Sequence, residues 1–347
     1  MHIGRGSLRS ATLALVGVLV LSACASDEGE PSATGGTPQP APSSATGSAG
    51  TPVDLVEAEI AVGGEPIGIA TGEGSIWVVN SEFQTGGPGS VSRIDPATNE
   101  VVATIEVGSV PLEVAAGEGA VWVSNAADDT VSRIDPGTNA VTATIETCGA
   151  PEGLAIGEGS VWVVCEDDGT VGRIDPATDE MREAFEVGVQ PRFVAYAFDS
   201  VWVSNYFDGG VKRLDPATGE VLAQVETAQG PQAMLEAMGS LWVSCTDADV
   251  VQRIDPATNE IVAEVATPVA PDGLAYAPFI VWVATEGGPQ IAGIDTSTDE
   301  ILATAEVGEE GFIIANQLMV FEANSLWLPI LGRGVVLRVT PPASTVE

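Results

Sequence analysis

Seven tryptophans occur in this chain of 347 residues, at positions 77, 122, 162, 202, 242, 282 and 327, so that successive spacings are 45, 40, 40, 40, 40 and 45. A period near 40 built from short apolar segments marks a repeat whose single unit cannot bury its own hydrophobic face and must stack on its neighbours. One full unit covers residues 112–147, with four strand-like segments at 112–116, 120–125, 130–134 and 140–147, here termed a to d. Four strands per unit and seven units predict an all-β chain folded as a seven-bladed β-propeller, four antiparallel strands per blade.

Each segment has a physical reading. Strand a is rich in small residues, as in Gly68-Ile69-Ala70 and Gly153-Leu154-Ala155, which suits inner strands converging on a narrow axis. Strand b carries a Val-Trp-Val core whose indole can fill the wedge between blades. Between c and d, Asp-Pro at 95, 135, 175, 215 and 255, weakened to Asp295-Thr296, nucleates a tight turn. Arg93, Arg133, Arg173, Arg213 and Arg253 recur two residues before that aspartate, and recurrence in five blades marks them as scaffold. The termini fix the closure: residues 55–62 read as a lone d-strand, while after Trp327 the last unit supplies b and c and stops. The N-terminal strand is therefore expected to complete the C-terminal blade, which removes the open edge of the ring.

Ahead of the repeats, Arg5 and Arg9 precede an apolar run over 11–21, the layout of a secretory signal. The run ends in Leu21-Ser22-Ala23-Cys24, which resembles the lipobox of bacterial lipoproteins. That resemblance implies cleavage after residue 23, lipid on Cys24, and an outward-facing protein anchored to the cell membrane. Residues 24–52, nearly all Ser, Thr, Gly, Ala and Pro, cannot bury a core and read as a flexible tether. The expected organisation is thus 1–23 signal, 24–52 lipidated tether, 53–341 propeller and 342–347 tail. Against 49 acidic residues stand 12 basic ones, a balance that excludes nucleic acid as a partner.

The wording of the repeat is itself recognisable: Val91-Ser92-Arg93-Ile94-Asp95-Pro96, then Val102-Ala103-Thr104-Ile105-Glu106-Val107-Gly108, then Gly117-Glu118-Gly119-Ala120-Val121-Trp122. It resembles the YVTN-type propeller repeat, and the Pro-x-Gly-Ile/Leu-Ala start of strand a at Pro66, Pro151 and Pro271 is similar to the repeats of the streptogramin (virginiamycin B) lyase family. That resemblance implies a seven-bladed ring and, in the lyases, a histidine base with a magnesium ion. The histidine of this chain is His2, inside the signal, so the family's catalytic positions are not matched and no catalytic residue is assigned.

Alternating strand direction puts the d-to-a and b-to-c loops on one face, where most variation between repeats falls, including the two five-residue insertions at 82–89 and 308–315. The residue after the d-to-a proline points near the central mouth and runs Ile67, Leu112, Glu152, Arg192, Gln232, Asp272. Glu152, Arg192, Gln232 and Asp272, with the aromatic residues Phe83, Phe193, Tyr206, Phe207 and Phe312 on or beside the same face, form the candidate ligand site. Acidic b-to-c loops such as Glu166-Asp167-Asp168-Gly169 and Asp247-Ala248-Asp249 invite a divalent cation, although hairpin turn chemistry accounts for them; no cofactor or metal ligand is assigned. Cys148 and Cys165 sit on one blade and are candidates for a disulfide, with Cys245 left over. These features point to a monomeric, non-catalytic binding or scaffold module for a protein, peptide or glycan. The alternative is a lyase- or lactonase-type enzyme using carboxylates and a divalent ion on that face.

Overall fold

Small inner residues and a bulky second strand, buried along almost its whole length, decide how each sheet is built. The computed structural model describes residues 55–286, 290–308 and 319–342. β1 (Val56–Ala61) precedes blade 1, which is β2 (Glu65–Gly72), β3 (Ser75–Ser81), β4 (Pro88–Asp95) and β5 (Glu100–Ser109). Blade 2 is β6 (Pro111–Gly117), β7 (Ala120–Asn125), β8 (Thr130–Asp135) and β9 (Ala140–Glu146). Blade 3 is β10 (Pro151–Gly157), β11 (Ser160–Cys165), β12 (Thr170–Asp175) and β13 (Glu180–Glu186). Blade 4 is β14 (Pro191–Ala197), β15 (Ser200–Asn205), β16 (Gly210–Leu214) and β17 (Val221–Glu226). Blade 5 is β18 (Pro231–Ala237), β19 (Ser240–Cys245), β20 (Val250–Asp255) and β21 (Glu260–Ala266). Blade 6 is β22 (Pro271–Ala277), β23 (Ile280–Thr285), β24 (Gln290–Asp295) and β25 (Ile301–Glu306). Blade 7 takes β26 (Val320–Glu322), β27 (Ser325–Ile330) and β28 (Val335–Val339) from the C-terminus and β1 from the N-terminus, in the order β1-β28-β27-β26.

The closure expected from the strand count is therefore present. β1 pairs antiparallel with β28, Val56 opposite Val339 and Ala61 opposite Val335. Ile60 and Val62 share a buried cluster with Trp327 and Val336 of blade 7 and with Ile69, Ile76 and Ile94 of blade 1, so one short strand seals two blades. Glu57 holds the same seam: its carboxylate accepts from Thr340 and Ser325 and pairs with Arg338 at 3.0 Å. The bond from Thr340, ahead of those from Ser325 and Arg338, holds the Glu57 carboxyl below its ordinary pKa.

All seven indoles are at most 1% exposed, each wedged against the next blade: Trp77 packs with Val121, Val123 and Ile134, and Trp122 with Val161, Val163 and Ile174. Removing one such ring costs about 3–5 kcal/mol. The recurrent arginine lies over this ring, at 4.9 Å from its centroid for Arg93 over Trp77 and 5.0 Å for Arg213 over Trp202. It then reaches the c-to-d turn of the following blade: Arg93 to Asn139 at 2.8 Å, Arg133 to Asp179 at 2.7 Å, Arg213 to Asn259 at 3.1 Å and Arg253 to Asp299 at 2.6 Å. Arg338 does the same from blade 7 to Asn99 of blade 1 at 2.8 Å. The turn aspartates accept from the amide two residues on, as from Ala97 to Asp95 at 2.8 Å, which is why Asp-Pro opens each of these turns.

Candidate functional site at the ring axis

Inner strands approach one another closely, and that closeness shapes the axis. A Cβ on Gly68 would lie 2.6 Å from the Leu112 carbonyl oxygen, and one on Gly153 would lie 2.6 Å from that of Arg192. Along β6 and β10 the residues through Val114 and Leu154 are buried, whereas Ala115–Gly117 and Ala155–Gly157 are partly exposed. β2 shows the same gradient after Ile69. The axis is thus narrow at the end carrying the d-to-a and b-to-c loops and widens toward the a-to-b turns. A cavity of about 370 Å³ lies along it, walled by Ile69, Leu154, Phe193, Val194, Met234 and the carboxyl-bearing Glu113.

Among the described residues, those after the d-to-a prolines of blades 1 to 6 crowd the narrow end. Ile67, Leu112, Glu152, Gln232 and Asp272 are each under a tenth exposed, so these side chains plug the mouth rather than line an open pocket. On the side of blades 1 and 2, Ile67, Val110 and Leu112 form an apolar cluster with Ala126 and Leu331. On the side of blades 3 to 6 the plug is charged. Arg192 pairs with Glu152 at 3.3 Å and its guanidinium sits 5.7 Å from the Tyr206 ring centroid. The Tyr206 hydroxyl donates to Asp247 at 2.9 Å.

Electrostatics in this network follow from burial. Burial works against the Arg192 charge, but Glu152, Glu166 and Asp272 outweigh it and hold the guanidinium above its ordinary pKa. Burial, then the bond to Asp247, pushes the Tyr206 phenol up to about 12. Glu286, at the end of β23, is raised by burial despite a hydrogen bond with Asp272 and the nearby Arg192. Glu113 is raised well above the ordinary carboxyl value, first by burial and then by Glu152 and Asp272. Its Oε2 is buried without a hydrogen-bond partner.

Of the residues expected at the site, Glu152, Arg192, Asp272 and Tyr206 share this network, and Gln232 occupies the ring position between Arg192 and Asp272. Phe193 is buried in the cavity wall. Phe207 stacks edge-on against Tyr206, ring centroids 5.0 Å apart, and is 63% exposed. Val189, in the neighbouring d-to-a loop, is 60% exposed. Phe83 lies apart in the blade 1 b-to-c loop, its amide donating to Glu65 at 3.1 Å. Phe312 and Cys24 lie outside the described residues, as does most of the 308–315 insertion. Glu113 and Glu286 also belong to this network: Glu113 stands where blades 1, 3, 5 and 6 carry Gly68, Gly153, Ala233 and Gly273 and blade 4 carries Phe193, so an acid at an otherwise small or apolar position is its mark in the sequence.

The acidic b-to-c loops have structural work. Asp128 accepts from the Ser109 amide at 2.7 Å, Asp168 from Gly149 at 2.8 Å and Asp208 from Val189 at 3.0 Å, so each ties its loop to the adjacent d-to-a loop. Among the described residues no three His, Cys, Asp or Glu side chains converge as metal ligands. Cys148 and Cys165 are joined as a disulfide with Cα atoms 5.6 Å apart. Cys245 is a buried free thiol pushed up to about 12 by burial. The opposite face also departs from its repeat: Glu73, Glu118 and Glu158 at the a-to-b turns of blades 1 to 3 give way to Phe198, Met238 and Pro278 in blades 4 to 6, and Phe279 stands where blades 1 to 5 carry Gly or Asp. Phe198, Met238 and Phe279 take left-handed φ, 52°, 50° and 66°, a costly geometry for bulky residues.

Known proteins share this architecture at low identity. Virginiamycin B lyase from Staphylococcus aureus superposes with a TM-score of 0.70 at 16% identity, covering 82% of this chain and 99% of that one. A streptogramin B lyase gives 0.69 at 16% identity over 81% and 96%. Hydrazine synthase of Kuenenia stuttgartiensis gives 0.68 at 15% identity over 86% and 99%. No family model and no curated protein sequence matches the chain. What is shared at this distance is the seven-bladed fold.

Proposed function

We propose that this propeller is a non-catalytic binding module, held outside the cytoplasmic membrane by lipid on Cys24, that engages a protein or peptide through the loop face of blades 4 to 6. The observation carrying this reading is the exposed pair Phe207 and Val189, set beside a Tyr206–Arg192–Glu152 network that is braced from below. An exposed aromatic on a rigid, hydrogen-bonded base is the arrangement that anchors interfaces. The same Phe207 ring would also stack on a sugar, which keeps a glycan as a second kind of partner.

Affinity capture with the lipidated full chain, from detergent-solubilised membranes, tests this. A partner retained by the natural protein and lost by Phe207→Ser with Val189→Ser supports the reading; unchanged capture refutes the choice of face. Both side chains are exposed, so the double variant keeps the fold. The enzyme alternative draws on the carboxylates Glu152, Asp272 and Glu286 and on the likeness to two lyases. It requires a divalent ion, so melting of the protein with millimolar calcium, magnesium or manganese separates the two readings: a stabilisation of several degrees favours the enzyme, and none favours the binding module.

A further inference from the structure

The tryptophan wedges, arginine stacks and turn aspartates recur from blade to blade, and Glu113 does not. Its counterparts at the same point of strand a are Gly68, Gly153, Phe193, Ala233 and Gly273. The side chain lines the axial cavity, is 3% exposed, and its Oε2 lacks a hydrogen-bond partner. The charged groups that face it are Glu152 from β10 and Asp272 from β22, with Arg192 beyond Glu152 and paired to it. A buried acceptor left unpaired costs about 1–3 kcal/mol, a cost the fold avoids in the other blades with a small or apolar residue.

We propose that the axial channel binds a small amine with an apolar body, entering from the a-to-b turn face, its ammonium group against Glu113 and its hydrocarbon among Ile69, Leu154, Phe193 and Val194. The channel widens toward that face, and its volume of about 370 Å³ falls in the range of small-molecule pockets, ~300–1,000 Å³. The exposed Glu73, Glu118, Glu158 and Glu236 stand at or near the opening and draw cations to it. Phe198, Met238 and Phe279 offer an apolar half of the same rim. Walls of aliphatic and aromatic carbon reject a bare, strongly hydrated metal ion but welcome an alkyl or aryl body. Burial and the two facing acids favour the protonated form of Glu113. Docking of the ammonium turns that acid into a carboxylate and passes its proton to solvent, so affinity rises with pH above the ordinary carboxyl range for as long as Glu113 keeps its proton in the free protein and the amine stays charged.

Titration calorimetry on the full chain with hexylamine and 2-phenylethylamine, against hexanol and 2-phenylethanol, tests the assignment. The amines are expected to bind at least ten-fold tighter than the alcohols. Glu113→Gln should bring amine affinity down to that of the alcohols. Ala115→Phe, which fills the channel while leaving the carboxyl in place, should abolish both, with its melting transition as the check on folding. Equal affinity for amine and alcohol, full amine affinity in Glu113→Gln, or no amine binding by the natural protein would each overturn it. Phe207→Ser with Val189→Ser should leave amine binding untouched, so failure of the loop-face partner and failure of the channel site are read separately.

Discussion

Arg192 and Glu113 stand near the same axis with opposite electrostatic fates. Arg192 is the cation that lets Glu152 remain buried: the two side chains are 12% and 3% exposed. Arg192→Met should destabilise the protein by about 3–5 kcal/mol, because the buried carboxylate loses its ion-pair cation. Adding Glu152→Gln should recover at least half of that loss, both read from urea midpoints. For Glu113 the sign is reversed. Its folded pKa lies well above its ordinary 4.5, so the unfolded chain loses the proton first as pH rises through 4.5, and the folded state is progressively penalised until its own pKa is passed. Glu113→Gln should therefore melt above the natural protein at pH 8, with the difference vanishing near pH ~4. A constant difference across that range would contradict the account. The mouth residues were legible in the sequence because each follows a repeated proline. Glu113 was marked only as a lone acid at its point of strand a, a cue that repetition does not reinforce, and Glu286 is brought beside Asp272 by the β22–β23 pairing, in which Pro271 stands opposite Thr285.

At the scale of strands and turns, the arginine clamps divide into those that bridge blades and those that do not. Arg133 bonds Pro176 and Asp179 of the next blade. Arg173 bonds Ser160 of its own blade at 2.8 Å, and the turn residue it would reach is Gly219, which has no side-chain acceptor. Arg133→Ala should cost about 1–2 kcal/mol, the sum of a cation–π contact and a charged hydrogen bond at a partly exposed site, and Arg173→Ala less than ~1 kcal/mol. Equal losses in denaturant melts would show that stacking on tryptophan, common to both, is the larger part. The recurrence of these arginines was plain in the sequence, but their partners 46 positions on were not, because the bond is formed by curvature between blades. Arg338 carries no such mark for a related reason: the C-terminal strand ends without an Asp-Pro turn to fix its register. Closure itself was legible from counting strands. Deleting residues 53–63 should abolish the cooperative melt, as β28 loses its pairing partner and Trp327 loses Ile60 and Val62.

Across the whole molecule the sequence carries a formal charge of −37, while the described ion pairs are few and use the scarce arginines. Net repulsion should therefore outweigh the loss of ion pairs when charges are screened. Raising sodium chloride from about 0.1 to 1 M shortens the screening length from roughly 10 to 3 Å, and the melting temperature should climb by several degrees. A fall would mean that the arginine clamps dominate the charge balance instead.

The bond between Glu57 and Thr340 joins residues 283 positions apart. A ribosome delivers the first of these long before the second, so during synthesis β1 has nothing to pair with and blade 7 cannot exist. The ring consequently locks in one late event, governed by the arrival of the final strand, and until then every earlier blade remains an open stack whose last sheet is bare.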